Sequence, residues 1–394
     1  MESEEKEIEN AVRLLQYTKQ DINEVCPVTQ RLYFPSQGEY LEAKSNIKLL
    51  DFDEQFVERL QSGESLVFKG NGDEKLVFCT EDETYEVKEG EISNSLVICP
   101  EFLYNEDIKK INGDKRKVQK QLISGIYHSY LELRLTFPKL RKLRKFLAPT
   151  VYTGPDHEDN VSNKGYYLTE LLENIQCSRE ELLNGLKDIS ACCIDGRWRL
   201  LSLKYESAVL SLIVGLMEEQ GSNLINKKDA KKILGPKVPD FITDHILTNF
   251  ATCSEDDNDV FLLKEDKVSR CFAEALLTAA GGTFLLDEFM KTWKASLPPG
   301  MEVNLHHLRG LALTEKGKSD EDVICLFQEY NLPENISERF RLLFKRKEKW
   351  SFDEIMPYIE KLATKAMNVN ALLTKFSRAS TVNGVRVFGA RHAN

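Results

Sequence analysis

Residues 178–203 read SREELLNGLKDISACCIDGRWRLLSL, and the fold turns on how they are read. Ser178 and Glu181 stand three apart at the head of the run, the spacing of a capping box, so a helix opens there. Two apolar runs then flank Asp195-Gly196, a pair that favours a tight hairpin turn. Just upstream, TELLENIQ (169–176) is a short amphipathic helix. Helix, tight turn, helix and a two-stranded hairpin is the order of a winged helix.

The same order recurs downstream at a spacing of about 60–70 residues. One instance has helices in 205–220, 226–235 and 239–250, with the acidic turn Asp256, Asp257, Asn258, Asp259 before VFLLK (260–264). Another runs through 265–280, 285–298, VNLHHLRGLAL (303–313) and DVICLFQEYNLP (322–333). A last one has helices in 334–350, 351–363 and NVNALLTKFSRAS (368–380), then NGVRVFGARH (383–392) with its own Asn383-Gly384 turn. Architecture repeated without sequence identity predicts a tandem array of winged helices, four by this grammar.

Upstream the texture differs. Residues 5–25 read as a short polar helix before a break at Pro27. SLVFKG (65–70), KLVFCT (75–80), EDETYEVKEG (81–90) and NSLVICP (94–100) read as consecutive strands, with NIKLLDFD (46–53) and RLYFPS (31–36) as further candidates. Asn71-Gly72 marks a hairpin between the first two. Such a β unit is either a self-contained barrel or a fragment whose free edges pair with another chain. From 108 to 147 the chain reads as helical and basic. Lys139, Arg141, Lys142, Arg144 and Lys145 alternate there with Leu140, Leu143 and Leu147. Those five cations are either a solvated face or a secondary contact to phosphate or to an acidic partner. YTGPDHEDNVSNKG (152–165) reads as a linker.

Charge follows this division. The whole chain of 394 residues has net charge −10, which argues against nucleic acid. Residues 1–110, however, hold 12 basic and 25 acidic side chains, net −13, whereas residues 333–394 hold 12 basic and 6 acidic, net +6. Only the local balance is informative. The start, MESEEKEIEN, has neither the charge nor the apolar run of a secretory signal, and no stretch approaches a membrane span. Nine scattered cysteines without a C-x-x-C point to reduced thiols and argue against zinc.

Nothing in the sequence predicts catalysis. Gly317-Lys318-Ser319 lacks the glycine a phosphate loop needs at position 312, which is Ala, and Gly310 comes too early. Asp156, His157, Glu158 and Asp159 are adjacent on a linker and do not form a preorganised cation site. No metal or cofactor is expected.

Binding chemistry concentrates in the last repeat. On a helix over 368–380, Ala371, Leu372 and Phe376 turn inward while Lys375 and Arg378 share a neighbouring face. Arg386 sits on the following hairpin and Arg391 just past it. In a winged helix the four would converge on one surface facing DNA phosphate; otherwise they are solvated charges or grip an acidic protein. No Asn or Gln pair is placed to read bases, so single- and double-stranded DNA would bind with weak sequence preference. Arg339, Arg341, Lys345, Arg346, Lys347 and Lys349 add to the basic character but spread around their helix.

The stretches GESLVFKGNGDEKLVFCTEDETYEVKE (63–89), YLELRLTFPKLRKLRKFL (130–147), GRWRLLSLKYE (196–206), LPPGMEVNLHHLRGLAL (297–313), EKWSFDEIMPYIEKL (348–362) and NALLTKFSRASTVNGVRVFGAR (370–391) carry a resemblance. Together they resemble the sister chromatid cohesion subunits of the alternative (chromosome transmission fidelity) replication factor C clamp loader. The resemblance implies an α+β chain: a partner-binding β-barrel-type segment (1–110) completed by other subunits, a basic helix and linker (111–165), a winged-helix region (166–265), a winged helix (266–332) and a C-terminal DNA-binding winged helix (333–394). It implies a non-catalytic nuclear protein. The partners it implies are the small chromosome-transmission-fidelity subunit, the C-terminal tail of the large chromosome-transmission-fidelity ATPase, the catalytic subunit of DNA polymerase epsilon and, indirectly, the sliding clamp. The family is described with three winged helices, against the four read here. Two other readings stand beside it, a winged-helix transcription regulator and a pure protein scaffold.

Overall fold

The computed structural model describes residues 2–21, 25–34, 47–72, 74–108, 116–138, 140–160, 164–254, 257–317, 320–363 and 367–391. The chain divides into two compact units, Met1–Glu64 with Glu86–Arg134, and Ser65–Tyr85 with Leu135–Asn394. The main elements up to residue 135 are α1 (Glu2–Tyr17), β1 (Val28–Tyr33), α2 (Glu54–Gln61), β2 (Val67–Lys69), β3 (Val77–Cys79), β4 (Thr84–Ile98), β5 (Lys117–Leu122) and β6 (Gly125–Leu135), with a single helical turn at Asn105–Ile108 between β4 and β5.

In the first unit β1 pairs with β5 in parallel, from Val28↔Lys117 to Tyr33↔Leu122, and β4 lies beside β6. Glu7 on α1 pairs with Arg31 and Lys120, tying the helix to this ribbon. Asp53 caps α2 by accepting the Phe56 N–H. Among the described residues no sheet closes into a barrel. Among the described residues the unit is also thinly cored: its buried apolar side chains are Phe56, Ile123 and Tyr127, while Leu32, Tyr33, Phe34, Leu96, Val97 and Phe102 stay exposed.

In the second unit four repeats follow one order: helix, strand, helix, helix, strand, strand. The first is α3 (Arg141–Leu147), a bridge residue Tyr166, α4 (Leu168–Asn174), α5 (Arg179–Asp188), β7 (Cys192–Ile194) and β8 (Arg197–Arg199). The second is α6 (Leu203–Gln220), β9 (Leu224–Asn226), α7 (Lys227–Leu234), α8 (Asp240–Phe250), β10 (Ala251–Cys253) and β11 (Val260–Leu263). The third is α9 (Glu265–Ala279), β12 (Thr283–Leu285), α10 (Leu286–Ala295), a 3-10 turn at Leu305–Leu308, β13 (Ala312–Lys316) and β14 (Asp322–Leu326). The fourth is α11 (Ile336–Arg346), β15 (Trp350–Ser351), α12 (Phe352–Ile359), α13 (Val369–Phe376), β16 (Arg378–Val382) and β17 (Val385–Gly389). In every repeat the last strand is central, antiparallel both to its hairpin partner and to the first strand or bridge.

Local chemistry explains these starts and turns. Ser178–Glu181 and Ser351–Glu354 form capping boxes, and Asn226, Ser202, Asn335 and Asn368 cap other helices, each cap contributing about 1 kcal/mol. Asp195-Gly196 and Asn383-Gly384 take positive φ at both positions, the geometry of a type I′ turn. The second and third repeats share one apolar core, whereas the first and fourth have their own. The fourth core is completed from outside its repeat by Phe137, Leu313, Phe327 and Leu332.

Several expectations are corrected. The segment read as helical from 108 to 147 contains strands β5 and β6, and the helix covers Arg141–Leu147 only. Leu131, Leu133 and Leu135 alternate with Glu132 and Arg134, a period of two that suits a strand. The runs 81–90 and 94–100 merge into the single strand β4. Asn71-Gly72 lies inside a longer connection, because Lys69 pairs with Val77. The stretch read as a linker is docked through Glu158, which accepts from buried Arg199 at 2.7 and 2.9 Å, while Arg199 Nε donates to the Thr150 carbonyl. The cysteines' place in apolar runs predicts buried thiols, but Cys26, Cys193 and Cys253 are exposed.

Candidate nucleic-acid interface

Helix α13 carries the first of the four cations. Asn368 accepts the Ala371 N–H at 2.9 Å, and Leu372 and Leu373 are buried. Phe376 stacks on Phe340 with ring centroids 5.4 Å apart. Ala371, expected inward, is exposed, and Leu373 takes its place. The helix stops at Ser377, whose backbone is extended, so Arg378 opens strand β16 and does not extend the Lys375 face. The hydroxyl of Ser377 donates to the Leu373 carbonyl, which helps close that end.

Lys375 and Arg391 are brought together. Arg391 Nη1 donates to the Lys375 carbonyl at 2.8 Å, placing a cation on the negative end of α13. Arg378 and Arg386 are not. In the β16–β17 ribbon Arg378 faces Gly389 and Arg386 faces Thr381. Directly paired residues project from the same face and successive pairs alternate, so the two arginines lie on opposite faces. Arg386 shares its face with Phe388, its guanidinium 5.4 Å from that ring centroid. Lys375, Arg378, Arg386 and Arg391 are all exposed, and among the described residues none forms an ion pair with a carboxylate.

The cations of 339–349 divide into two sets. Buried Arg339 pairs with Glu329 at 2.6 Å and also donates to the carbonyls of Leu332, Pro333 and Tyr358. Arg346 pairs with Glu315 and Lys347 with Glu354. Arg341, Lys345 and Lys349 remain exposed without a carboxylate among the described residues. Arg341 and Lys345, four apart on α11, lie on one helical face.

The secondary cluster has other occupations. Lys139 lies outside the described residues. The Arg141 backbone N–H donates to Glu334 and its guanidinium to the Asn331 carbonyl. Lys142 pairs with Glu74. Arg144 sits over the Tyr330 ring, 4.1 Å from its centroid. Lys145 is exposed. Helix α3 therefore spends three of its cations on the hairpin loop before β3 and on the connection ahead of α11.

Behind α3 lies a polar group that the sequence did not reveal. Glu274 accepts from Gln328 at 2.9 Å and from the Tyr330 hydroxyl at 3.0 Å. Burial pushes Glu206 up to about 7; the charge of Glu274 adds to this and Arg144 opposes it. Arg270 donates to the carbonyls of His307 and Arg309. These residues are far apart in sequence and belong to no local pattern, so only the packed chain assembles them.

Comparison with known proteins places the chain among relatives. A family model described as sister chromatid cohesion protein Dcc1 matches residues 47–359. The chain is similar to the sister chromatid cohesion protein DCC1 of Mus musculus, 35% identical over 382 residues covering 96% of this chain and 95% of that protein. It is likewise similar to that of Danio rerio, 35% identical over 395 residues and 98% of each chain. The protein of that name in Saccharomyces cerevisiae is 23% identical over 385 residues, covering 89% of this chain and 98% of the relative. The family match ends before Lys375.

Proposed function

The chain belongs to the sister chromatid cohesion protein Dcc1 family, and from that premise we propose that it serves sister chromatid cohesion as a non-catalytic adaptor. In this reading it is a nuclear subunit of an alternative replication factor C clamp loader. It links that loader to DNA and to DNA polymerase epsilon, and acts on the sliding clamp only through its partners. The four repeats are winged helices, the last of which meets DNA.

The observation that carries the reading is the contrast between the two ends. Among its described residues the first unit buries few apolar side chains and leaves strand residues such as Leu96 and Val97 exposed, which suits completion by the small chromosome-transmission-fidelity subunit and the C-terminal tail of the large ATPase. The last repeat leaves seven cations without a carboxylate partner among the described residues: Arg341, Lys345, Lys349, Lys375, Arg378, Arg386 and Arg391. Such cations suit phosphate.

The test uses the full chain co-expressed with those two partners. Lys375→Ala/Arg391→Ala should lose duplex DNA while retaining both partners, and Leu96→Asp/Val97→Asp should lose partners while retaining DNA. If either variant loses both or neither, the division of labour is wrong.

A further inference from the structure

Away from this interface, a groove of about 540 Å³ opens where the second and third repeats meet. Its walls are the last turn of α6, strand β11, the start of α9 and the loop 298–301. Met217, Leu262, Pro298 and Met301 give it an apolar lining. Among the described residues its charged lining is Glu218 and Glu265, with no lysine or arginine. Met217 and Leu263 belong to the core shared by the two repeats, and Met301 packs against it, so the groove floor is continuous with that core.

The apolar surface continues beyond the groove. Leu262 is 50% exposed and stands directly opposite Leu224, 45% exposed, across the β9–β11 pair. Directly paired residues share a face, so the two leucines form a strip leading into the concavity. Scattered exposed leucines need no explanation, whereas a strip running into a groove marks a binding surface. Glu265 is held in place at the rim by accepting the Glu302 N–H at 2.6 Å. Glu218 lies in the last turn of α6, whose carbonyl end is itself partly negative. The amide end of α9 also opens here, but Glu265 and Asp266 occupy its first turn and offset it.

We propose that this groove binds a short linear peptide of a partner protein, with aliphatic side chains flanked by Lys or Arg. The aliphatic groups fill the methionine- and leucine-lined floor, where thioethers adapt to irregular shapes. The cations meet Glu218 and Glu265. An extended peptide fits better than a compact metabolite: polar groups lie on the rim, not converging at depth, and the leucine strip lengthens the surface.

Random short peptides displayed on phage, selected on the full-length chain, test this. Selected peptides should combine Leu, Ile or Met with Lys or Arg. Synthetic copies should lose about ten-fold affinity or more against Leu262→Glu, and several-fold against Glu218→Gln/Glu265→Gln and in high salt. Leu262 is exposed, so Leu262→Glu should keep the parent's melting temperature and its DNA binding. Acidic peptides, or peptides that bind Leu262→Glu as tightly as the parent, overturn the proposal. So does a homodimer that Leu262→Glu dissolves in sedimentation, which would give the groove to a second copy of the chain.

Discussion

Glu206 stands in the first turn of α6, faced by Glu274 and by Arg144 of α3, and its carboxyl is pushed up to about 7 mainly by burial. A carboxyl that holds its proton more tightly folded than unfolded costs stability as pH rises from the ordinary carboxylate range through about 7. Glu206→Gln removes that cost. The variant should be more stable than the parent by on the order of 2 kcal/mol near pH 8, with the gap closing near pH 5, in denaturant unfolding. A gap equal at both pH values contradicts the assignment. Arg144's place in a basic run says that it is a cation on an amphipathic helix. Nothing in that run says that Tyr330 lies beneath it, because that contact spans most of the second unit.

Among the elements, the turn of the β16–β17 hairpin is legible to the residue, since Asn383-Gly384 dictates it through backbone sterics alone. The end of α13 is not. NALLTKFSRAS continues a helical pattern through Arg378, but the strand pairing of Arg378 with Gly389 overrides it. The consequence can be measured. Arg378 and Arg386 project from opposite faces, so their effects on duplex affinity should add within about 0.5 kcal/mol in a double-mutant cycle. A larger coupling would mean that one phosphate group is shared between them. Asn71-Gly72 shows the limit of turn signals. The same dipeptide sits in a connection of seven residues, where Gln176 binds the carbonyls of Lys69 and Lys75 and so fixes the loop from outside. Phe137 acts similarly on the fourth repeat. Phe137→Ala should destabilise the chain by about 2 kcal/mol, read by thermal or denaturant unfolding, although no residue of the repeat is altered.

For the whole molecule, the four-repeat order was readable because each repeat is punctuated by its own caps and turns. The first repeat draws its opening helix from the basic stretch before the linker. What was not readable is how the pieces depend on one another. Residues 65–85 belong with the second unit although they interrupt the first in sequence. Residues 333–394 lack Phe137, Leu313, Phe327 and Leu332 of their own core. An isolated 333–394 fragment should therefore show poor amide dispersion by NMR, and DNA binding has to be measured on the full chain. The most direct measurement is fluorescence anisotropy of labelled duplex DNA with full-length protein across a salt series, parent against Lys375→Ala/Arg378→Ala/Arg386→Ala/Arg391→Ala. Weaker binding is expected, with a salt slope shallower by about two to four units, roughly one for each phosphate that is no longer neutralised. Unchanged affinity and slope would contradict a DNA-binding last repeat.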